Sequence, residues 1–173
     1  MTSARVAELD GLLARVLDDR GLAYERAEEG AFFVTLPGTH KLATNTWLVV
    51  GDHSLLVEAF VVRRPEENDA AFWRNLLERN ARTYGVHFCV DEVGDVYLVG
   101  RVPLHAVTAD EVDRLLGCVL TYADESFDPL LELGFAGSIR REWDWRVSRG
   151  ESLRNLQAFA RFADPARRPR EGS

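Results

Sequence analysis

Four histidines, two cysteines and several acidic pairs are the side chains of this sequence that could ligate a metal or move a proton. His40, His53, His87 and His105 never place two imidazoles on one helical face, the arrangement by which a single element offers a metal two ligands. They read as surface or strand-edge histidines. Cys89 and Cys118 are too few and too unpatterned for a disulfide framework or a zinc site, which fits a reducing compartment. Asp91, Glu92 and Asp95 surround Gly94 but lack the alternating oxygens and closing glutamate of a calcium loop, so they read as a solvated turn. Asp124, Glu125 and Asp128 read as residues that start a helix. There is no Gly-x-Ser-x-Gly, no glycine-rich phosphate loop and no dinucleotide fingerprint, and no serine or cysteine stands in a known motif with a base. We therefore expect no catalytic residues, no metal and no cofactor.

Two groups of residues suit binding better than catalysis. Trp73, Leu76, Leu77 and Asn80 fall at i, i+3, i+4 and i+7, which puts the Asn80 amide on an apolar helical stripe where it needs hydrogen-bond partners. Either it makes a structural hydrogen bond, or it joins Arg63, Arg64 and Arg101 in a polar pocket at the end of a sheet, fit for a small ligand or substrate. The second group is Arg140, Arg141, Trp143, Trp145 and Arg146. Two tryptophans two residues apart cannot both point inward from one helix, so one is exposed as at a partner surface, or packs on a neighbouring helix.

The elements that must carry these residues can be read from periodicity. Val6, Leu9, Leu13, Val16 and Leu17 make residues 4–20 an amphipathic helix ended by Gly21. Leu22 to Arg26 and Ala31 to Leu36 are strand-like about the turn Glu28-Glu29-Gly30, and Thr44 to Val50 and Ser54 to Val62 form a second hairpin about Gly51-Asp52-His53. A helix is expected from Glu66 to just before Gly85, with Phe72, Trp73, Leu76, Leu77, Ala81 and Tyr84 on one face and Glu66, Glu67 and Asp69 in its first turn. Val86 to Asp91, with Val86, Phe88 and Val90 inward, pairs with Val96 to Gly100 across Glu92-Val93-Gly94. Arg101 to Leu104 then leaves the sheet, because Pro103 cannot donate to a ladder. Thr108 and Glu111 have the spacing of a capping box and Val107 and Val112 that of a hydrophobic staple, opening a helix that ends near Tyr122. Asp124-Glu125-Ser126 restarts the chain into a short helix with Phe127, Leu130, Leu131 and Phe135. Residues 138–149 and 152–162 are helical again, stopped by Asp164-Pro165.

Composition bounds the rest. With 173 residues and 46% hydrophobic content, the chain can bury one core without staples, so we expect a single domain over residues 1–164 and a disordered tail over 165–173. Its apolar runs are too short to cross a bilayer, and the N-terminus lacks the apolar core of a secretory signal; the expectation is a cytoplasmic protein with no membrane partner. A net charge of −7 speaks against nucleic acid as principal partner. That charge is uneven: residues 1–137 carry net −11 and residues 138–173 net +4, so attraction within or between chains is as natural as an external anion. Lys41 is the only lysine beside twenty arginines, a bias of GC-rich bacterial genomes.

Gly51-Asp52-His53-Ser54-Leu55-Leu56-Val57-Glu58-Ala59-Phe60, Gly94 to Leu104, and Leu130-Leu131-Glu132-Leu133-Gly134-Phe135 together resemble an actinobacterial YbjN-domain protein, over most of residues 5–160. The resemblance implies a type III secretion chaperone-like fold of order α-β-β-β-α-β-β-α, and a class described as sensory transduction regulators. It brings no catalytic residues. The fold class expected is thus α+β, an antiparallel sheet of hairpins packed by helices, with extra C-terminal helices beyond Phe135 that could cover the sheet. The function expected is a non-enzymatic protein-binding or regulatory module, a possible homodimer, holding a segment of a partner protein. The alternative is a small-molecule sensor or enzyme using the pocket near Arg63, Asn80 and Arg101.

Overall fold

The structure, a computed structural model, describes residues 3–167. Helix α1 (Ser3–Asp19) leads into strands β1 (Ala23–Glu28), β2 (Ala31–Pro37), β3 (Ala43–Val50) and β4 (Ser54–Val62). Helix α2 (Asp69–Asn80), strands β5 (His87–Val90) and β6 (Val96–Pro103) and helix α3 (Ala109–Arg149) follow, and the chain closes with a 3₁₀ stretch at Arg154–Phe159 and the short helix α4 (Ala160–Ala163). The six strands form one antiparallel sheet in the order β1-β2-β3-β4-β6-β5. The class is α+β, as the hairpin pattern required.

Alternation decides which side chains meet the helices. Phe32, Val34 and Leu36 of β2, Leu48 of β3, Leu55, Val57, Ala59 and Val61 of β4, and Val96 and Leu98 of β6 are buried on one face, where α1 and α3 pack. From α1 come Leu9, Leu13 and Leu17, and from α3 Val112, Leu115 and Val119, the stripes that 3.6-residue periodicity assigns to the core. Thr44 and Thr46 also face inward, and their hydroxyls have no hydrogen-bond partner among the described residues. Gly100 is on the same face of β6, and a Cβ there would collide with the backbone carbonyl of Gly85, itself at φ +70°. This close approach lets the chain turn from α2 into β5 directly over the sheet.

Several local expectations are corrected. The sheet does not end before Pro103: Ser54 pairs with Pro103 and Leu55 with Val102, because proline's missing donor costs little where β5 no longer flanks β6. Val90 is 54% exposed, since the inward alternation ends at Phe88. Helix α2 starts at Asp69 after left-handed Asn68, and the N–H groups of Glu66 and Glu67, placed in the helix by the sequence, bond to the carbonyl of Gly134 instead. Of its expected stripe only Phe72 and Leu76 are buried, while Leu77 is 70% exposed and Tyr84 47%. The capping box is half formed: the Thr108 hydroxyl accepts from Glu111 N–H, while the Glu111 carboxylate turns to Tyr84 and Arg114.

The largest departure is α3, which runs as helix through the expected restart at Asp124-Glu125-Ser126 and is kinked at Phe135, where the sequence ended one short helix before the next at Ser138. Asp124 does cap backbone, but a different segment's. Asp124 Oδ1 accepts from the N–H groups of Thr39 (2.8 Å), His40 (2.8 Å) and Lys41 (2.9 Å), pinning the β2–β3 loop, while Ser126 bonds back to Ala123 within the helix. Burial pushes the Asp124 carboxyl up, but those three N–H groups outweigh it and hold it below its usual value. Asp128 pairs with His40 at 2.7 Å and raises the imidazole's pKa by that bond. Pro129 is accommodated within the helix, and the one non-helical residue is Phe135 (φ −140°), where the Gly134 carbonyl is diverted to Glu66 and Glu67. Gly134 is close-packed by Phe72 and Pro65. The C-terminal elements pack on α3. Residues 152–162 are 3₁₀ and a single α turn rather than one α-helix, and Asp164 ends them as expected. Of the tail expected at 165–173, residues 165–167 form a turn and residues 168–173 lie outside the described residues.

Candidate functional site

The register that buries one face of the sheet dictates the composition of the other. Glu25, Phe33, Trp47, Glu58, Val99 and His87 form a row across all six strands. Phe60, Tyr97 and Cys89 form the row on one side, and Val49, Leu56 and Arg101 that on the other. Phe33 and Trp47 lie with ring centroids 4.9 Å apart, and Phe60 meets Tyr97 edge-on at 5.5 Å. Trp47 is 36% exposed and Phe33, Leu56, Phe60, Tyr97 and Val99 are half-buried, so a broad aromatic surface lies on this face, with the Lys41 ammonium over its Phe60 end and over Phe127 of α3. Glu58 stands within it without a hydrogen-bond or ion-pair partner among the described residues. Burial raises the pKa of the Tyr97 hydroxyl, and Asp91, Asp95 and Glu58 add to that rise, marking this end of the face as negative. Such a surface can accept apolar side chains of a protein segment, with polar groups at its rim.

The two edges of the sheet differ. On β5, the Asn80 amide donates to the Phe88 carbonyl (3.0 Å) and accepts from the Phe88 N–H (2.7 Å), taking both backbone groups that a neighbouring strand would use. Helix α2 therefore blocks that edge at Phe88. Strand β1 is open along its outer side, and its residues are exposed apart from Tyr24 and charged at Glu25, Arg26 and Glu28, a composition that discourages unplanned pairing.

The residues singled out in the sequence are distributed otherwise than a single site requires. Arg101 pairs in register with Leu56, whereas Arg63 and Arg64 follow Val62 at the far end of β4. Six residues of strand separate those positions by about 20 Å. The Arg64 N–H is bonded to Asp95 and the Asn80 amide is committed to Phe88, so the four expected pocket residues do not converge. Trp143 is 4% exposed in a cluster with Ile139, Phe159, Phe162 and Ala163. Arg140 lies over the Phe162 ring at 5.6 Å, Arg141 bonds Ser138 at 2.7 Å beside Glu66, and Arg146 bonds Glu142 at 2.6 Å and the Ser152 carbonyl at 2.9 Å. Trp145 is 47% exposed, with Arg149 5.1 Å from its ring. Charge reversal along the chain is thus partly spent internally, through Arg141 with Glu66 and Arg161 with Glu132. Sequence reasoning missed the aromatic face, although β4 and β6 carry apolar residues at both parities, the one signal that could have shown it.

Comparison with known proteins places these features in a lineage. Residues 10–132 match the sequence profile of YbjN, "Putative bacterial sensory transduction regulator". The chain is 62% identical over 130 residues to "Uncharacterized protein Rv0487" of Mycobacterium tuberculosis, covering 75% of this chain and 71% of that one. It is 56% identical over 131 residues to "Uncharacterized protein ML2442" of Mycobacterium leprae, covering 76% and 71%. Among solved structures, the fold is similar to a chain of the ExsC-ExsE complex, with a TM-score of 0.54 and 22% identity over 72% of this chain and 95% of that one. It is also similar to a chain of the HopA1-SchA chaperone-effector complex, with a TM-score of 0.52 and 12% identity over 71% and 95%.

Proposed function

This chain belongs to the YbjN family, and from that premise we propose that it is a non-enzymatic, chaperone-like module that holds a segment of a partner protein on the open face of its sheet. The observation that carries this reading is the row of outward aromatic residues, Phe33 and Trp47 beside Phe60 and Tyr97, on the face opposite the buried one. The two solved structures of similar fold are complexes, one of them a chaperone-effector complex, which supports the same reading. Blockage of the β5 edge at Phe88 by Asn80 favours the face, and the free β1 edge, as the places where an extended segment docks. No helix among the described residues is long and apolar enough to cross a membrane, and we take the protein to act in the cytoplasm as a single YbjN-like domain over residues 1–164, as a homodimer. The rival small-molecule reading loses its motivation with the separation of Arg63 and Arg101.

A paired co-precipitation from native lysate tests this. Trp47→Glu places a charge at the centre of the face without opening the core. The wild-type chain should retain a partner that the variant releases, with both chains equally folded by circular dichroism. Identical recovery on the two chains refutes the docking face, and a monomeric sedimentation coefficient refutes the dimer.

A further inference from the structure

A cavity of about 290 Å³ lies where the end of α2 meets β5 and α3, lined by Arg79, Arg82, Thr83, Phe88, Tyr122 and Glu125. The geometry points to this cavity as a binding site for a compact oxyanion, a carboxylate or phosphate carried on a small molecule, an activity separate from protein docking and at a different place on the fold.

The first observation is that its arginines are left unpaired. Some guanidinium groups find carboxylates, as Arg20 does in Asp113, Arg26 in Asp10 and Arg161 in Glu132, and others, Arg15, Arg63 and Arg74 among them, have no ion-pair partner among the described residues but are exposed, whereas Arg79 is half-buried. Arg79 instead gives its Nε–H to the neutral Asn75 oxygen at 2.7 Å, and its terminal nitrogens have no partner among the described residues. The Arg82 side chain has none either. The two stand three residues apart, so both cations reach one cavity, and a guanidinium cannot relieve the repulsion by releasing its proton. Burial works against the Arg79 charge; Glu125, which also lines the cavity, counters it, and does so by more than the neighbouring Arg82 adds to it.

The second observation concerns the other polar groups. Carbonyls at a helix C-terminus ordinarily repel an anion. Here the Arg79 and Asn80 carbonyls are occupied by the N–H groups of Arg82 (2.9 Å) and Thr83 (3.4 Å). The Tyr122 hydroxyl accepts from the Tyr84 N–H at 3.0 Å, and burial first, then its hydrogen bond with Cys118, raise its pKa, so it closes the cavity wall without offering a free donor. Phe88 and the Tyr122 ring supply an apolar wall. Two fixed cations and one carboxylate suit a ligand bearing one or two negative charges, and the volume suits a small metabolite rather than a dinucleotide.

The test is a titration of the intact ¹⁵N-labelled chain with inorganic phosphate and, separately, with succinate, at constant ionic strength set with sodium chloride. Saturable shifts at the amides of Thr83, Phe88 and Tyr122 are expected with one or both anions, and which anion acts identifies phosphate or carboxylate as the preferred group. Arg79→Gln and Arg82→Gln should each weaken binding by about tenfold or more, the loss of one charge-assisted hydrogen bond. Amide spectra of the free variants that overlay on the wild type away from the cavity establish that they fold; should Arg79→Gln fail this, Arg82→Gln, at an exposed position, decides alone. The assignment is overturned if neither anion gives saturable shifts, if shifts are as large at Arg140 to Arg161 as at the cavity, or if a folded glutamine variant binds as tightly as wild type.

Discussion

Replacing Asn80 by alanine should expose how the β5 edge is held. The Asn80 amide makes two hydrogen bonds to one residue, at 3.0 and 2.7 Å, and Phe88 is 7% exposed, so water has poor access to the backbone groups left behind. Two net hydrogen bonds are worth about 1 kcal/mol each, and leaving the buried N–H or carbonyl unsatisfied costs about 1–3 kcal/mol more. With one of the two groups recovering partial hydration, a loss of about 2–4 kcal/mol follows, a large fraction of the stability of an ordinary domain. Urea midpoints of the purified variant and wild type measure it, and hydrogen exchange at the Phe88 amide locates it. Asn80→Asp sharpens the argument, because a carboxylate still accepts from the Phe88 N–H but opposes its carbonyl. Its deficit should shrink in acid, where the protonated side chain regains a donor. A midpoint for Asn80→Ala equivalent to wild type within about 0.5 kcal/mol, or unchanged exchange at Phe88, refutes the reasoning.

Two further outcomes follow from the C-terminal cluster and the β2–β3 loop. Trp143→Ala should cost about 3–5 kcal/mol as a large buried side chain, whereas Trp145→Ala, half exposed, should stay within about 1 kcal/mol by the same denaturation assay; equal effects would contradict the assignment of Trp143 as anchor. The pKa of His40 is raised by its bond to Asp128, so the stability from this pair is fully present below the unfolded imidazole value of about 6.5 and is lost as pH rises through the folded one. Wild type should therefore exceed Asp128→Asn in urea midpoint at about pH 5.5 by more than at about pH 8.5, and a gap independent of pH would remove His40 from the account.

How much of this was legible in the sequence varies with the range of the interaction. The hairpins of β1 with β2 and of β3 with β4, and the stripe of α1, follow from periods of 2.0 and 3.6 residues and from glycine at the turns, which are local properties. The Asn80 amide was visible as an anomaly on an apolar stripe, because a half-buried amide needs partners whatever they are. Trp143 inside and Trp145 outside follow from their two-residue spacing once one of them docks.

Other features were beyond local reasoning. Asp124, Glu125 and Ser126 have the chemistry of a helix start, yet α3 runs through them because Asp124 caps the backbone of Thr39 to Lys41, some eighty residues earlier. A proposed pocket of Arg63, Arg64, Asn80 and Arg101 failed because antiparallel register sets Arg101 and Arg63 at opposite ends of β4 and β6, a fact of pairing that no residue states by itself. The outward aromatic row needed the same register, since Phe33, Trp47, Glu58 and Val99 come from four strands. The sequence alone determined the strands with most of their boundaries, the first helix and the side chains with something left to satisfy, because backbone sterics and periodic burial act over a few residues. Only the tertiary structure decided which of those side chains meet, because strand register and the capping of one segment by another are settled by contacts between residues far apart in the chain.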